Sequence, residues 1–311
     1  MPKHLPRYLN LPPGSDLGAK AHQAVERLKN CTLCPRKCAV DRTAGEKGYC
    51  KTGLTAVIGG YDAHFGEETP LVGQYGSGTI FFSHCNLLCN FCQNFDISHE
   101  GAGTEVSHDQ LAQAMLLLQN AGCHNINFVT PGHVVPQILS ALEIAVRSGL
   151  KIPLVYNSSG YDNVSTLQML EGVIDIYMPD FKFWDAEIAE QTCGAPDYPE
   201  VACKALLEMH RQAGDLVLDQ KGLAVRGLLV RHLVLPQGLA GTDKVMTFIA
   251  ERISTGTYVN IMNQYRPCGR AAEIEALRRG ITSEEYADAL AAARHAGISR
   301  LDQRRRTFII H

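Results

Sequence analysis

The chain has 311 residues, enough for one barrel-sized domain or two smaller ones, and its 45% hydrophobic content marks it as globular. A formal net charge of -3 and a pI near 6.5 carry no basic excess, so the overall electrostatic footprint of a nucleic-acid binder is absent. Eleven cysteines, no N-terminal apolar run and no segment of membrane-spanning length predict a soluble, cytoplasmic protein, in a compartment where clustered thiols bind metal more often than they form disulfides.

In chain order, a turn signal at residues 12–14 precedes a short helix expected over 19–29, with Ala21, Ala24, Val25 and Leu28 on one face. Cys31, Cys34, Cys38 and Cys50 follow, in CxxCPRxC and then Gly45-Glu46-Lys47-Gly48-Tyr49-Cys50. Thiols so close in sequence, interrupted by Pro35, Gly45 and Gly48, have the character of a metal knuckle, for which zinc and a second Fe-S cluster both fit. Packing of some of them as small hydrophobes is the plainer alternative. Arg36, Lys37, Arg42 and Lys47 would soften the negative charge of such a site. Residues 54–82 are glycine-rich around His64, Glu67 and Glu68, hold no GxGxxG fingerprint, and read as a connecting segment.

A first buried strand is expected over 78–83, and it runs into Cys85, Cys89 and Cys92, spaced CxxxCxxC with Phe91 directly before the third cysteine. Three thiolates on one loop suit a [4Fe-4S] cube with one iron left open, whereas structural zinc or an electron-carrier cluster normally has its full set of protein ligands. Beyond the loop, helices are expected over 107–121, with Ser107 as N-cap and Gln110 at N3, and over 134–148, 164–170, 199–213, 242–253 and 283–295. Strands are expected over 125–129, 152–156, 174–178, 228–235 and 258–262.

This alternation implies a parallel sheet with right-handed crossovers. Six units suggest a partial (β/α)6 barrel, since a closed eight-unit barrel needs roughly 250 residues. The division read from the sequence is 1–76, an N-terminal extension with the four-cysteine segment; 77–296, the barrel; and 297–311, a tail with a basic run at 304–306. Functional groups in such a fold belong at the C-terminal strand ends. Those ends carry Thr130, Asn157, Asp180, Lys182 and Asn263. Arg231 and His232 sit inside an otherwise apolar strand and need partners or a polar cavity, because an unpaired buried charge is costly. His133 is either a substrate contact or structural. Cys123, Cys193, Cys203 and Cys268 read as packing residues, with Cys268 close in sequence to the last strand end.

These motifs make the chain resemble the radical S-adenosylmethionine (SAM) enzymes, and among them the pyruvate formate-lyase activating enzyme-like group and its PflX-like branch. The resemblance runs from Cys31 to Asp302 and includes CxxCPRxC, Gly-Glu-Lys-Gly-Tyr-Cys, Gly-Ser-Gly-Thr-Ile-Phe-Phe-Ser, CxxxCxxC, Val-Thr-Pro and Asn-Gln-Tyr-Arg-Pro in the same order. It implies a radical SAM barrel with a [4Fe-4S] cluster on Cys85, Cys89 and Cys92, whose open iron chelates SAM. Reductive cleavage then gives a 5′-deoxyadenosyl radical that abstracts hydrogen from a protein or peptide, glycyl-radical-enzyme activation being one form, with flavodoxin or ferredoxin as electron donor.

The same resemblance puts Thr130 where the family carries an acid-bearing segment that contacts the SAM amino group. It sets Asp180 and Lys182 beside the SAM ribose, and matches Arg231 to a SAM-contacting arginine. It also matches Asn157, Met178 and Asp180 to the ligands of a monovalent cation, Asn157 replacing an aspartate. Asn263 would meet the adenine edge or cap the cavity. The alternatives are small-molecule radical chemistry with an auxiliary cluster on the N-terminal cysteines, and a non-catalytic Fe-S or zinc scaffold.

Overall fold

The computed structural model of the chain describes residues 5–11 and 15–303; the turn at 12–14 and the basic run at 304–306 lie outside the described residues. Helix α1 (Leu17–Glu26) is capped by Asp16, whose carboxylate accepts the Ala19 N–H at 3.0 Å. After the first cysteine segment come β1 (Ala56–His64), α2 (Thr69–Val72), β2 (Ser77–Phe82) and β3 (Thr104–Val106). Helix α3 (His108–Asn120) leads into three strand–helix units: β4 (Ile126–Val129) with α4 (Val135–Arg147), β5 (Leu154–Ser158) with α5 (Val164–Met169), and β6 (Ile176–Pro179) with α6 (Ala186–Cys193) and α7 (Tyr198–Ala213). The chain closes with β7 (Val217–Leu218), β8 (Ala224–Leu233), α8 (Thr242–Phe248), β9 (Tyr258–Met262), α9 (Ser283–His295) and β10 (Arg300–Leu301).

The strands form one central sheet in the order β10-β9-β8-β6-β5-β4-β2-β1-β3, with β7 beside β8. Strands β2, β4, β5, β6, β8 and β9 are parallel neighbours in chain order, so their C-terminal ends leave the sheet along one edge. They read as nearly continuous apolar runs because both faces are covered. Alternation sorts their side chains. Leu154, Tyr156, Tyr177, Leu228 and Val230 enter the large core with the helices, while Val155, Ile176, Met178 and Leu229 join a small cluster on the opposite face with Leu71 from α2.

Two departures from the sequence reading bear on the site. The glycine-rich segment is not a plain connector: β1 pairs antiparallel with both β2 and β3, with a register shift between Ile58 and Gly60. Gly59 and Gly60 masked it, since glycine is depleted in strands and marks bulges. Helix α6 is likewise absent from the expected elements; Asp185 caps it through the Glu187 and Ile188 N–H groups. The Ser107–Gln110 capping box of α3 is present in both directions. Among the described residues no helix is long and apolar enough to cross a membrane.

Candidate functional site

Along the sheet edge where the six parallel strands end lies a cavity of about 480 Å3. Its wall takes Phe81 and Phe82 from β2, Val129 and Thr130 after β4, Asn157 and Ser158 from β5, Asp180 and Lys182 after β6, Arg231 and Leu233 from β8, and Met262 and Gln264 at the end of β9. Cys85, Cys89 and Cys92 form the remaining side. A hollow of similar size, about 520 Å3, lies between α8 and α9 against Asp243, Glu251, Asp288 and His295; it gathers no cysteine and no strand end.

The cysteine loop is held by its backbone. His84 and Leu88, one residue before Cys85 and Cys89, have φ of 68° and 57°, a region that costs a non-glycine residue of order 1–3 kcal/mol. The Leu87 N–H donates to Cys85 Sγ at 3.3 Å, and Ser98 Oγ donates to Cys92 Sγ at 3.2 Å. Asn86 Nδ2 donates to the Tyr161 carbonyl at 2.7 Å. Phe91 packs edge-on against Phe183 and Tyr265. Burial pushes the Cys85 thiol up to about 12 and raises that of Cys92, while a hydrogen bond with Cys193 and then burial raise that of Cys89. The Lys182 charge pulls the Cys89 and Cys92 thiols down without offsetting these causes.

The polar strand ends form two groups. Lys182 Nζ meets Asp180 Oδ2 at 2.5 Å; burial alone would lower the Lys182 pKa, but the Asp180 carboxylate outweighs it and holds it well above the ordinary value. Arg231 is the centre of the second group. Its Nε and Nη2 each lie 2.7 Å from a Glu68 oxygen, Nη2 also meets Glu67, and Nη1 is 3.5 Å from Asn157 Oδ1. Asn260 Nδ2 donates to Glu68 at 2.6 Å, and His64 Nδ1 lies 2.8 Å from Glu67. Although burial would raise it, Glu67 is held down at about 2 by Arg231 and His64. Cross-strand register lines up Asp180, Arg231 and Asn260 across the sheet.

Of the residues singled out from the sequence, Thr130, Asn157, Asp180, Lys182 and Arg231 come together in this cavity with the three cysteines. Thr130 has φ of 61°, rare for a β-branched residue. Asn263 is not brought there: β9 ends at Met262, the side chains alternate, and Met262 and Gln264 line the wall while Asn263 is exposed. The Met178 side chain is buried in the small apolar cluster instead. His232 is structural, its ring nitrogens 2.7 Å from the Phe181 carbonyl and 2.8 Å from Thr242 Oγ1. Glu67 and Glu68 are not among the site residues that the sequence singles out, because they lie in the segment read as a connector; the signal for them is Arg231, whose buried charge demands acids from elsewhere.

Cys31, Cys34, Cys38 and Cys50 gather in a separate small cavity of about 10 Å3, bordered also by Arg42 and His133. Lys37 and Ala39 flank Cys38 and Lys51 follows Cys50, all at positive φ, and the Tyr49 N–H donates to Cys38 Sγ at 3.3 Å. The segment braces the first loop. Arg36 donates to the carbonyls of Asn86, Leu87, Cys193 and Gly194 at 2.5–3.3 Å and stacks 3.9 Å over the Tyr49 ring. Among the described residues, no three His, Cys, Asp or Glu side chains in either cavity or elsewhere converge to hold a single metal ion.

No family model matches the chain. It is 32% identical over 284 residues to the uncharacterized protein MJ0674 of Methanocaldococcus jannaschii, across 89% of this chain and 78% of that protein. Two solved structures are similar to it at 12% identity and a TM-score of 0.48. One is HydG, a maturase of the [FeFe]-hydrogenase, with 70% of this chain and 48% of that one covered, so the chain spans about half of HydG. The other is a radical SAM methyltransferase from Sphaerobacter thermophilus, with 73% and 66% covered. Likenesses this distant say nothing of activity.

Proposed function

Because the chain belongs to the same family as the uncharacterized M. jannaschii protein MJ0674, a kinship that names no activity, we propose its function from the cavity: a radical SAM enzyme. The observation that carries this reading is the meeting of the CxxxCxxC loop with the C-terminal ends of all six parallel strands in one cavity. Its volume of about 480 Å3 falls in the range of roughly 300–1,000 Å3 typical of small-molecule sites, and its three thiols leave one corner of a [4Fe-4S] cube without a protein ligand. The residues fit both groups. When bound, cluster and SAM supply one-electron cleavage of the sulfonium to a 5′-deoxyadenosyl radical.

In this reading Cys85, Cys89 and Cys92 hold three irons, and the Leu87 N–H and Ser98 hydroxyl stabilise thiolate charge. Asn157, Asp180 and Thr130 offer oxygen acceptors to the amino and ribose groups of SAM. Lys182 orients Asp180. Arg231 is committed to two acids, which leaves one guanidinium against two carboxylates and an excess of negative charge beside the site of a sulfonium cation. Only its Nη1 is open for a direct contact with SAM. Phe91, against Phe183 and Tyr265, closes the apolar side and keeps water out.

The finer assignments rest on motif resemblance. They are the PflX-like branch, a partial (β/α)6 barrel behind an N-terminal extension, a protein or peptide as hydrogen donor with glycyl-radical activation as one form, a flavodoxin or ferredoxin donor, and a monovalent cation near Asn157 and Asp180. The test is spectroscopic. Anaerobically reconstituted, reduced protein is expected to show a [4Fe-4S] electron paramagnetic resonance signal that changes shape on adding SAM. An intact cluster whose signal ignores SAM overturns the reading.

A further inference from the structure

We propose that His99 is a positioning residue for the cluster, holding the Ser98 hydroxyl as a donor to the Cys92 sulfur and so setting the reduction potential. This rests on the reading of the CxxxCxxC site as a [4Fe-4S] site and adds to it a side chain one hydrogen bond removed from the ligands. Ser98 Oγ lies 3.2 Å from Cys92 Sγ and 2.9 Å from His99 Nδ1. A hydroxyl has one proton to donate and lone pairs with which to accept. A cysteine sulfur bound to iron is a thiolate with no proton of its own, so the Ser98 proton serves the sulfur and the His99 Nδ1 proton serves the Ser98 oxygen. Only that order satisfies both contacts. An imidazole with a bare Nδ1 would draw the Ser98 proton to itself and leave the sulfur without it.

Local structure holds the ring in place for this. Asp96–Glu100 form a single π-turn directly after Phe95, a rare geometry that recurs at functional sites. Phe95 and His99, one turn apart, stack with ring centroids 4.0 Å apart and an interplanar angle of 11°. Phe95 is itself wedged against the loop after β9, where Gly269 has φ of +53° and a Cβ would lie 2.4 Å from Phe95 Cδ2. The backbone ties the turn to the cysteine loop: the His84 N–H donates to the Ile97 carbonyl at 2.9 Å, and the Ser98 N–H to the Asn94 carbonyl at 2.8 Å. Ser98 is buried, so water does not compete freely for its hydroxyl. A donor to a cluster sulfur stabilises the more negatively charged, reduced state and raises the potential. The Cys85 sulfur takes its donor from the backbone, the Leu87 N–H, whereas that of Cys92 depends on how one hydroxyl is turned.

The test is the midpoint potential of the SAM-responsive [4Fe-4S] signal, followed by electron paramagnetic resonance during anaerobic redox titration of the reconstituted full chain. Ser98→Ala is expected to make reduction up to about tenfold harder, a fall of about 59 mV for one electron. His99→Phe, which keeps an aromatic ring on Phe95 and deletes Nδ1, is expected to lower the potential too. It should lower it no further once Ser98→Ala is present, because the two act through one hydrogen bond. His99→Asn, whose amide nitrogen can stand where Nδ1 stood, is expected to restore the wild-type value. A His99→Phe chain that carries its cluster at the wild-type potential overturns the proposal, as does an equal shift by His99→Phe with and without the Ser98 hydroxyl. Should His99→Phe not take up its cluster, His99→Asn decides: the wild-type potential supports the proposal, and a fall as large as that of Ser98→Ala overturns it. Wild type that takes up no SAM-responsive cluster overturns the radical SAM reading along with the proposal, whereas an unmoved potential overturns the proposal alone.

Discussion

Arg231 enters β8 as a charge between Val230 and Leu233, both in an apolar strand, and two acids from a distant turn neutralise it. Removing the guanidinium while keeping its shape, as in Arg231→Met, leaves Glu67 and Glu68 buried and uncompensated. The expected loss is about 3–5 kcal/mol of stability in urea denaturation; a loss under about 1 kcal/mol would mean the acids are not held by Arg231. Glu67 adds a pH signature. Its folded pKa, near 2, lies below its ordinary value of 4.5, so its stabilisation is present above pH 4.5 and is lost as pH falls towards 2. Wild type should therefore lose up to roughly 3 kcal/mol more than Glu67→Gln across that window, followed by chemical denaturation at each pH. That Arg231 needed partners was legible in the sequence. That they were Glu67 and Glu68 was not, because only the folding of β1 and α2 back onto the sheet brings residues 163 and 164 positions away into contact.

Among the elements, those whose pattern matched their burial were legible. Strands β2, β4, β5, β6, β8 and β9 and helices α3, α4, α5 and α7 fall where apolar runs and caps put them, within a few residues. Strand β1 was not, being half exposed and broken by two glycines, with its pairing set by β2 and β3 rather than by its own side chains. The turn after β5 shows how tightly the strand ends are fitted. Gly160 has φ of +75°, and a Cβ there would sit 2.2 Å from the Asp180 carbonyl oxygen. Gly160→Ala should destabilise by more than ~2 kcal/mol and weaken SAM binding by displacing Asp180 and Lys182. Gly149→Ala, at φ +96° with open space around it, should cost only about 1 kcal/mol and leave binding unchanged. Thermal denaturation and SAM titration compare the two; equal costs would show that φ alone, not the contact with Asp180, sets the penalty.

At the scale of the whole molecule, chain order and space agree: six parallel strands lie side by side in sequence order, and the first of them ends in the CxxxCxxC loop. Cysteines near position 90 and polar groups as far along as Arg231 are therefore legible in the sequence as neighbours at one edge, since a parallel sheet puts every C-terminal strand end on the same side. Asn263 escaped the same logic by a single residue of side-chain alternation. The proposed activity of this edge is reductive cleavage of SAM. Cluster-loaded wild type, given SAM and a strong reductant under anaerobic conditions, should form 5′-deoxyadenosine, and Cys89→Ala should form none above the protein-free background. Wild type that carries its cluster and forms no 5′-deoxyadenosine, or a Cys89→Ala variant that forms as much as wild type, would contradict the account.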